Sequence, residues 1–360
     1  MVAYEEKRRA RGACQRSLSR HGIRSMRGEL RAIAELAPDG PPDEYGAGEA
    51  VQALEREVAT LLGKEAALFM PKGVIAQLVA LRTWAELKGR SAVLLHPHSH
   101  IDRDEGSAYE RLHDLIPVRR GIANTPLRVA DVADVHMPVA ALVAELPLRH
   151  AGFVLPSWDE LVALSQWARG NGAAFHLDGA RLWESQGFYG RSLAEICALA
   201  DSVYVSFYKG LGGLAGCVLA GSQRFIDATS SWRHRHGTEL WSVYPYAIAA
   251  HHGLRTHLPR MAQYRARARA IAKLVTEIDV IRIFPDPPHT NAFQIFMLGD
   301  APKLEDRVIE IARDSGVWLF DHIRPTSVPG VAMGEIQIGA GADQLTDQEI
   351  RALLERLIAV

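Results

Sequence analysis

Between residues 50 and 220, short apolar runs alternate with stretches in which apolar residues recur every three or four positions. Over 48–62, Val51, Leu54, Val58, Leu61 and Leu62 fall at helical spacing, and Gly63 is suited to end that helix. Residues 66–70 read as a short buried strand, with Pro71 and Gly73 as punctuation before a second helix through Leu81. Further strands are predicted at 92–95, 140–144, 173–177 and 203–207, with helical patterns such as 158–168 between them. Strands alternating with helices imply a mainly parallel sheet covered on both faces.

After about residue 255 the pattern changes. An arginine-rich helix over 260–278 precedes strand-like runs at 280–284, 292–297, 317–320 and 335–339, with helices over 303–315 and 346–357. This predicts a smaller α+β domain. The expected division is an N-terminal arm and helix at 1–45, a large domain at 46–255 and a small C-terminal domain at 256–360.

A chain of 360 residues is too long for one small core, which agrees with two domains. A formal net charge of −1 gives no global attraction to nucleic acid or to an acidic membrane surface. No apolar run approaches the ~18 residues that a membrane span needs. Cys14, Cys197 and Cys217 are scattered, fit neither a zinc cage nor a disulfide framework, and suit a reducing compartment. The N-terminus carries Lys7, Arg8, Arg9, Arg11, Arg16 and Arg20 against Glu5 and Glu6, and no apolar core follows as in a secretory signal. A solvated or partner-wrapping tail and a cytoplasmic protein are the expectations.

Two segments carry chemistry. His176-Leu177-Asp178-Gly179-Ala180-Arg181 puts an acid at the end of a buried strand, where open α/β sheets collect ligands. Ser206-Phe207-Tyr208-Lys209-Gly210-Leu211-Gly212-Gly213 puts a lysine after the next strand, beside glycines that let backbone approach a bound group. An amine that condenses with an aldehyde, and a carboxylate that keeps a pyridine nitrogen protonated, are what pyridoxal phosphate requires. A buried Asp178–Lys209 ion pair is the plainer reading of the spacing alone.

The wording of both segments resembles the threonine aldolase family of pyridoxal-phosphate lyases, which shares its fold with the aspartate aminotransferases. The resemblance runs from about Met26 to the C-terminus and includes Tyr45-Gly46 and Leu62-Gly63-Lys64-Glu65-Ala66-Ala67-Leu68-Phe69. It implies the type I fold of pyridoxal-phosphate-dependent transferases, with a mainly parallel seven-stranded sheet flanked by helices and a smaller α+β C-terminal domain. It further implies that Lys209 bonds the cofactor, that Asp178 faces its ring nitrogen and that His100, with Glu105 five residues on, stacks on the ring. Gly73 and Val74 would offer backbone N–H groups to the phosphate, and Ser206 belongs to the same cofactor wall. Lys72 and Val74 stand where the family usually has hydroxyl side chains. His96, His98 and His100 could suggest a metal, but no Cys or carboxylate completes a cage at matching spacing, and none is expected. Relatives build their sites at a subunit interface, so a homodimer or homotetramer is the expectation.

On the substrate side the pattern departs from the family. Arg181 matches a residue that helps bind the substrate carboxylate. The family's N-terminal Ser-Asp-Thr is not visible, and its Glu-Asn-Thr-His is replaced by Glu145-Leu146-Pro147-Leu148-Arg149-His150. Gln337 stands where a second carboxylate-binding arginine is usual, leaving Arg149 and Arg324 as candidates, with Arg233 a third that an exposed basic cluster explains more simply. The reaction expected is retro-aldol cleavage of a β-hydroxy-α-amino acid. Alternatives are β-elimination or transamination of an unusual amine substrate, or a non-catalytic protein that binds the cofactor and a partner.

Overall fold

In a computed structural model describing residues 2–359, the apolar runs of the first two-thirds of the chain become strands of one sheet. The chain divides into two units, one spanning Leu36–Pro259 and the other joining the residues up to Glu35 to those from Arg260 onward. The larger unit holds seven strands: β1 (Ala66–Met70), β2 (Ala92–Leu95), β3 (Ile116–Arg119), β4 (Ala141–Glu145), β5 (Ala174–Gly179), β6 (Ser202–Ser206) and β7 (Cys217–Gly221). Their order is β1-β7-β6-β5-β4-β2-β3, and all run the same way except β7, which is antiparallel to both β6 and β1. β2, β4, β5 and β6 are buried at every position, as in a sheet covered on both faces, so they show no alternation of buried and exposed residues.

The helix α1 (Glu49–Leu62) stops at Gly63, which adopts the left-handed conformation at φ 61°. The next helix, α2 (Gly73–Lys88), outruns its predicted end at Leu81, because Thr83, Trp84 and Ala85 keep a buried face until Gly89 closes it at φ 62°. Trp84 stacks on Phe225 at 4.6 Å between ring centroids, fixing the end of α2 against the helix Gln223–Arg235.

The parallel register sets a row of polar residues on the face that α2 covers. Glu145, Asp178 and Tyr204 are direct neighbours across β4, β5 and β6. Two residues back, and therefore on the same face, His176 lies beside Ser202. Polar groups this deep need partners, and the site below is built from how they find them.

The smaller unit carries a four-stranded antiparallel sheet of β8 (Ile281–Phe284), β9 (Ala292–Leu298), β10 (Ile323–Pro325) and β11 (Val331–Gln337), in the order β10-β11-β9-β8. Along β11 buried Ala332, Gly334 and Ile336 alternate with partly exposed neighbours, as expected of a sheet covered on one face. The predicted strand at 317–320 shortens to Val317–Trp318, which pairs in parallel with Arg16–Ser17. The basic N-terminal stretch is not a solvated tail. It forms the helix Val2–Ala13 in this unit, where Lys7 meets Glu305 at 2.6 Å and Arg16 meets Glu349 at 2.8 Å. No helix among the described residues is long and apolar enough to cross a membrane.

Candidate active site

The C-terminal ends of β1, β2, β5 and β6 lie on one edge of the larger sheet, and residues at these ends and in the segments that follow them line a cleft. Gly73, Val74, His100, Asp178 and Lys209, each expected in a cofactor site, all line it.

Asp178 is 1% exposed, and the one direct hydrogen bond to its carboxylate among the described residues comes from the Ala180 N–H at 3.2 Å. Burial raises its pKa, opposed by the charges of Lys209 and His100. Burial also pushes the Lys209 amine down, to about 8, and the positive charge of Arg181 adds to the effect, while Asp178 and Glu145 oppose it. Each member of the pair is thus driven toward its neutral form. For the lysine this means a nucleophilic amine close to physiological pH. For the aspartate it means an acid that a buried cation would stabilise, and a protonated pyridine nitrogen is such a cation.

His100 opens the short helix α3 (His100–Arg103), and its backbone N–H donates to Glu145 Oε2 at 2.7 Å. The second oxygen of Glu145 accepts from the Arg149 N–H at 3.1 Å, so one carboxylate ties the loop after β4 to the start of α3. Burial and the Asp178 charge push the Glu145 carboxyl up to about 8. The His100 ring lies with Nδ1 3.0 Å from Glu105 Oε1, and burial lowers its pKa, which favours the neutral imidazole that stacking on a pyridine ring calls for. Glu105 is itself pushed up to about 8, by burial first.

At the other end of the cleft, the first N–H groups of α2 have no carbonyl one turn behind them and carry the positive end of the helix dipole. A Cβ at residue 73 would stand 2.0 Å from the Tyr204 hydroxyl oxygen, so Gly73 lets Tyr204 and the helix end share this space. Amine, carboxylate, imidazole and helix N-terminus are therefore present in one cleft, and the donor set fits pyridoxal phosphate.

Other expected residues stand elsewhere. Ser206 is fully buried and does not line the cleft; its hydroxyl donates to the Ala180 carbonyl at 2.8 Å, holding the turn after Asp178 against the segment that leads to Lys209. Arg181 is buried with its guanidinium 5.3 Å above the Phe153 ring, and Arg149 is half-buried. Neither lines the cleft, yet the charge of each acts on Lys209. Arg324 is exposed on β10, and Gln337 ends β11, both in the smaller unit. Arg233 donates to the Tyr45 carbonyl and pairs with Glu239. The nitrogens of His96 are engaged, Nδ1 accepting from the His98 N–H at 2.9 Å and Nε2 donating to the Ile122 carbonyl at 3.1 Å.

Sequence reasoning passed over Gln77, Tyr204 and Tyr208, which also line the cleft, and the pairing of His150 Nε2 with Asp104 at 2.5 Å. A signal for Gln77 exists, since it is the lone polar residue in Val74-Ile75-Ala76-Gln77-Leu78-Val79-Ala80-Leu81. Tyr204 and Tyr208 carry none, because aromatic residues are ordinary in and after strands.

The family model described as beta-eliminating lyase matches residues 22–298. The chain is 31% identical over 267 residues to the low specificity L-threonine aldolase of Escherichia coli (strain K12), covering 72% of this chain and 79% of that one. Among solved structures, it is similar to a provisionally named L-allo-threonine aldolase of Listeria monocytogenes EGD-E, with 32% identity, a TM-score of 0.92 and 99% of both chains covered. A provisionally named aromatic amino acid beta-eliminating lyase/threonine aldolase from Exiguobacterium sp. 255-15 matches at 32% identity and a TM-score of 0.91, over 98% of this chain and 99% of that one.

Proposed function

The chain belongs to the beta-eliminating lyase family and is a pyridoxal-phosphate-dependent lyase, and from that premise we propose that it cleaves the Cα–Cβ bond of a β-hydroxy-α-amino acid, releasing an aldehyde and a smaller amino acid. Bound pyridoxal phosphate supplies the electron sink that makes bonds at the substrate Cα labile. Lys209 holds the cofactor through an amine already close to neutral, and Asp178 keeps positive charge on the ring nitrogen. His100, which lines the cleft, would cover one face of the bound ring and keep water from it. Gly73 and Val74 hold the phosphate through backbone N–H groups.

The observation that carries the retro-aldol reading is a second imidazole joined to the first. Asp104 lies 2.5 Å from His150 Nε2 and 3.7 Å from His100 Nε2. Retro-aldol cleavage needs a base for the β-hydroxyl proton. Burial lowers the His150 pKa against the pull of Asp104, so its ring is neutral and Nδ1 is left to accept that proton. Partial burial pushes the Asp104 carboxyl up, but the hydrogen bond from His150 and the positive charge around it, that of Arg149 included, hold the acid below its usual range. A charged Asp104 then orients the imidazole and stabilises it once protonated. For the substrate carboxylate, the candidates are Arg181 and Arg149, whose charges reach Lys209.

The test is turnover of threonine, allo-threonine and phenylserine by the parent and by His150→Phe. Aldehyde release from at least one substrate, cut by about 10²–10⁴ in the variant, supports the reading. Ammonia release, or a keto acid with the amino group left on the cofactor, would replace it with β-elimination or transamination. Parent turnover that survives His150→Phe would remove His150 from the reaction.

A further inference from the structure

Gln77 is 1% exposed, lines the cofactor cleft, and its Nε2 has no hydrogen-bond partner. A buried amide nitrogen left unpaired is costly, about 1–3 kcal/mol, and such groups are rare in folded proteins. The rest of the side chain is fully used. Gln77 Oε1 lies 2.7 Å from His176 Nε2, His176 Nδ1 lies 2.8 Å from Ser202 Oγ, and Trp84 Nε1 donates to the same Ser202 oxygen at 2.8 Å.

The direction of this chain follows from what each group can do. Trp84 can only donate. His176 is wholly buried and held neutral, with its pKa driven down to about 3 by burial, so one ring nitrogen carries a hydrogen and the other accepts. With Gln77 Oε1 accepting from Nε2–H, Nδ1 accepts from the Ser202 hydroxyl and every hydrogen in the chain has an acceptor. Turning the Gln77 amide over would reverse the histidine tautomer, leave the Ser202 hydroxyl hydrogen without an acceptor and point a carbonyl oxygen into the cleft. The network therefore presents an N–H₂ donor there.

Helix geometry says where that donor acts. Gln77 is four residues beyond Gly73 on α2 and shares its face, and helical side chains lean back toward the N-terminus. Its carboxamide thus covers the turn that begins with the free N–H groups of Gly73 and Val74. Resting on the assignment of this cleft to pyridoxal phosphate, we propose that Gln77 is a cofactor-binding residue whose Nε2 donates to the cofactor phosphate, with its orientation fixed from the core by Trp84, Ser202 and His176.

The experiment strips cofactor from the full chain and titrates pyridoxal phosphate and, separately, unphosphorylated pyridoxal, following protein fluorescence and cofactor absorbance. The variants are Gln77→Leu and Gln77→Glu; the second keeps an oxygen for His176 while placing a carboxylate toward the cleft. The expected result is pyridoxal phosphate affinity weakened about 10- to 100-fold in Gln77→Leu and further in Gln77→Glu, with pyridoxal affinity within about twofold of the parent in both. Equal losses for the two ligands would place the amide on the ring and overturn the phosphate assignment. Unchanged pyridoxal phosphate affinity in Gln77→Glu would overturn the role altogether. Failure of the parent to bind pyridoxal phosphate would sink the cofactor assignment itself, an outcome distinct from either.

Discussion

Glu145 and Asp178 are acids in the same row of one sheet, at the ends of adjacent strands, and both are buried. Burial pushes both carboxyls up, yet they are used differently. Both oxygens of Glu145 are taken by backbone N–H groups, from His100 and Arg149. Asp178 has one such bond and otherwise lines the cleft with Lys209 and His100. Burial and pKa alone do not separate the two. Where each oxygen finds its hydrogens does: Glu145 ties the loop after β4 to the start of α3, and Asp178 lines the cleft with one backbone N–H on its carboxylate.

The sharpest way to break this contrast is to neutralise each acid in turn. Asp178→Asn is expected to retain cofactor but lose turnover by orders of magnitude, with a thermal midpoint near that of the parent. Glu145→Gln sets an NH₂ against a backbone N–H, so it should cost about 1–3 kcal/mol of stability and lower the midpoint, with a much smaller loss of turnover. Equal turnover losses with unchanged midpoints in both would erase the distinction. Kinetics and thermal melts on the two variants measure it.

A smaller effect sharpens the same comparison. Cofactor capture requires neutral Lys209, so the rate of pyridoxal phosphate uptake by the stripped protein should rise with pH and level off above about 8. An unperturbed lysine would put that midpoint near 10.4. Both acids stabilise the charged amine, Asp178 more than Glu145. Their neutral variants should each lower the midpoint, Asp178→Asn by more. A shift in the other direction would contradict the placement of the charges.

The smallest effect concerns His176, two residues before Asp178. Its pKa, lowered to about 3 by burial, means that the unfolded chain binds a proton at mildly acidic pH while the folded protein does not. The stability linked to this group is complete above about pH 6.5 and is lost as pH falls below it, at about 1.4 kcal/mol per pH unit. Replacing Ser202 with Ala removes the hydroxyl that donates to His176 and should reduce stability at neutral pH, while leaving the acid dependence in place. Denaturant titrations between pH 7 and 5 report both.

That Asp178 and Lys209 would line one cleft was readable because they sit at strand ends marked by glycine. Asp178 and Lys209 each follow a mainly apolar stretch and precede glycine, and sequence carries both signals. Strand β7 was missed because it follows the glycine cluster closely, and β3 because Pro117 and Arg119 break its apolar character. The role expected of Ser206 shifted for a different reason. A strand residue's side is set by register, and only the paired sheet shows that its hydroxyl meets Ala180 in place of the cleft. The link from Asp104 to His150 joins residues 46 apart, beyond the reach of any local pattern.

The central claim is that Lys209 carries the cofactor, and borohydride reduction of the cofactor-loaded protein, followed by peptide mass mapping, tests it most directly. One pyridoxyl label per chain is expected, on Lys209, and none in Lys209→Ala. A label on Lys72 or any other lysine, or no label on saturated protein, would contradict it.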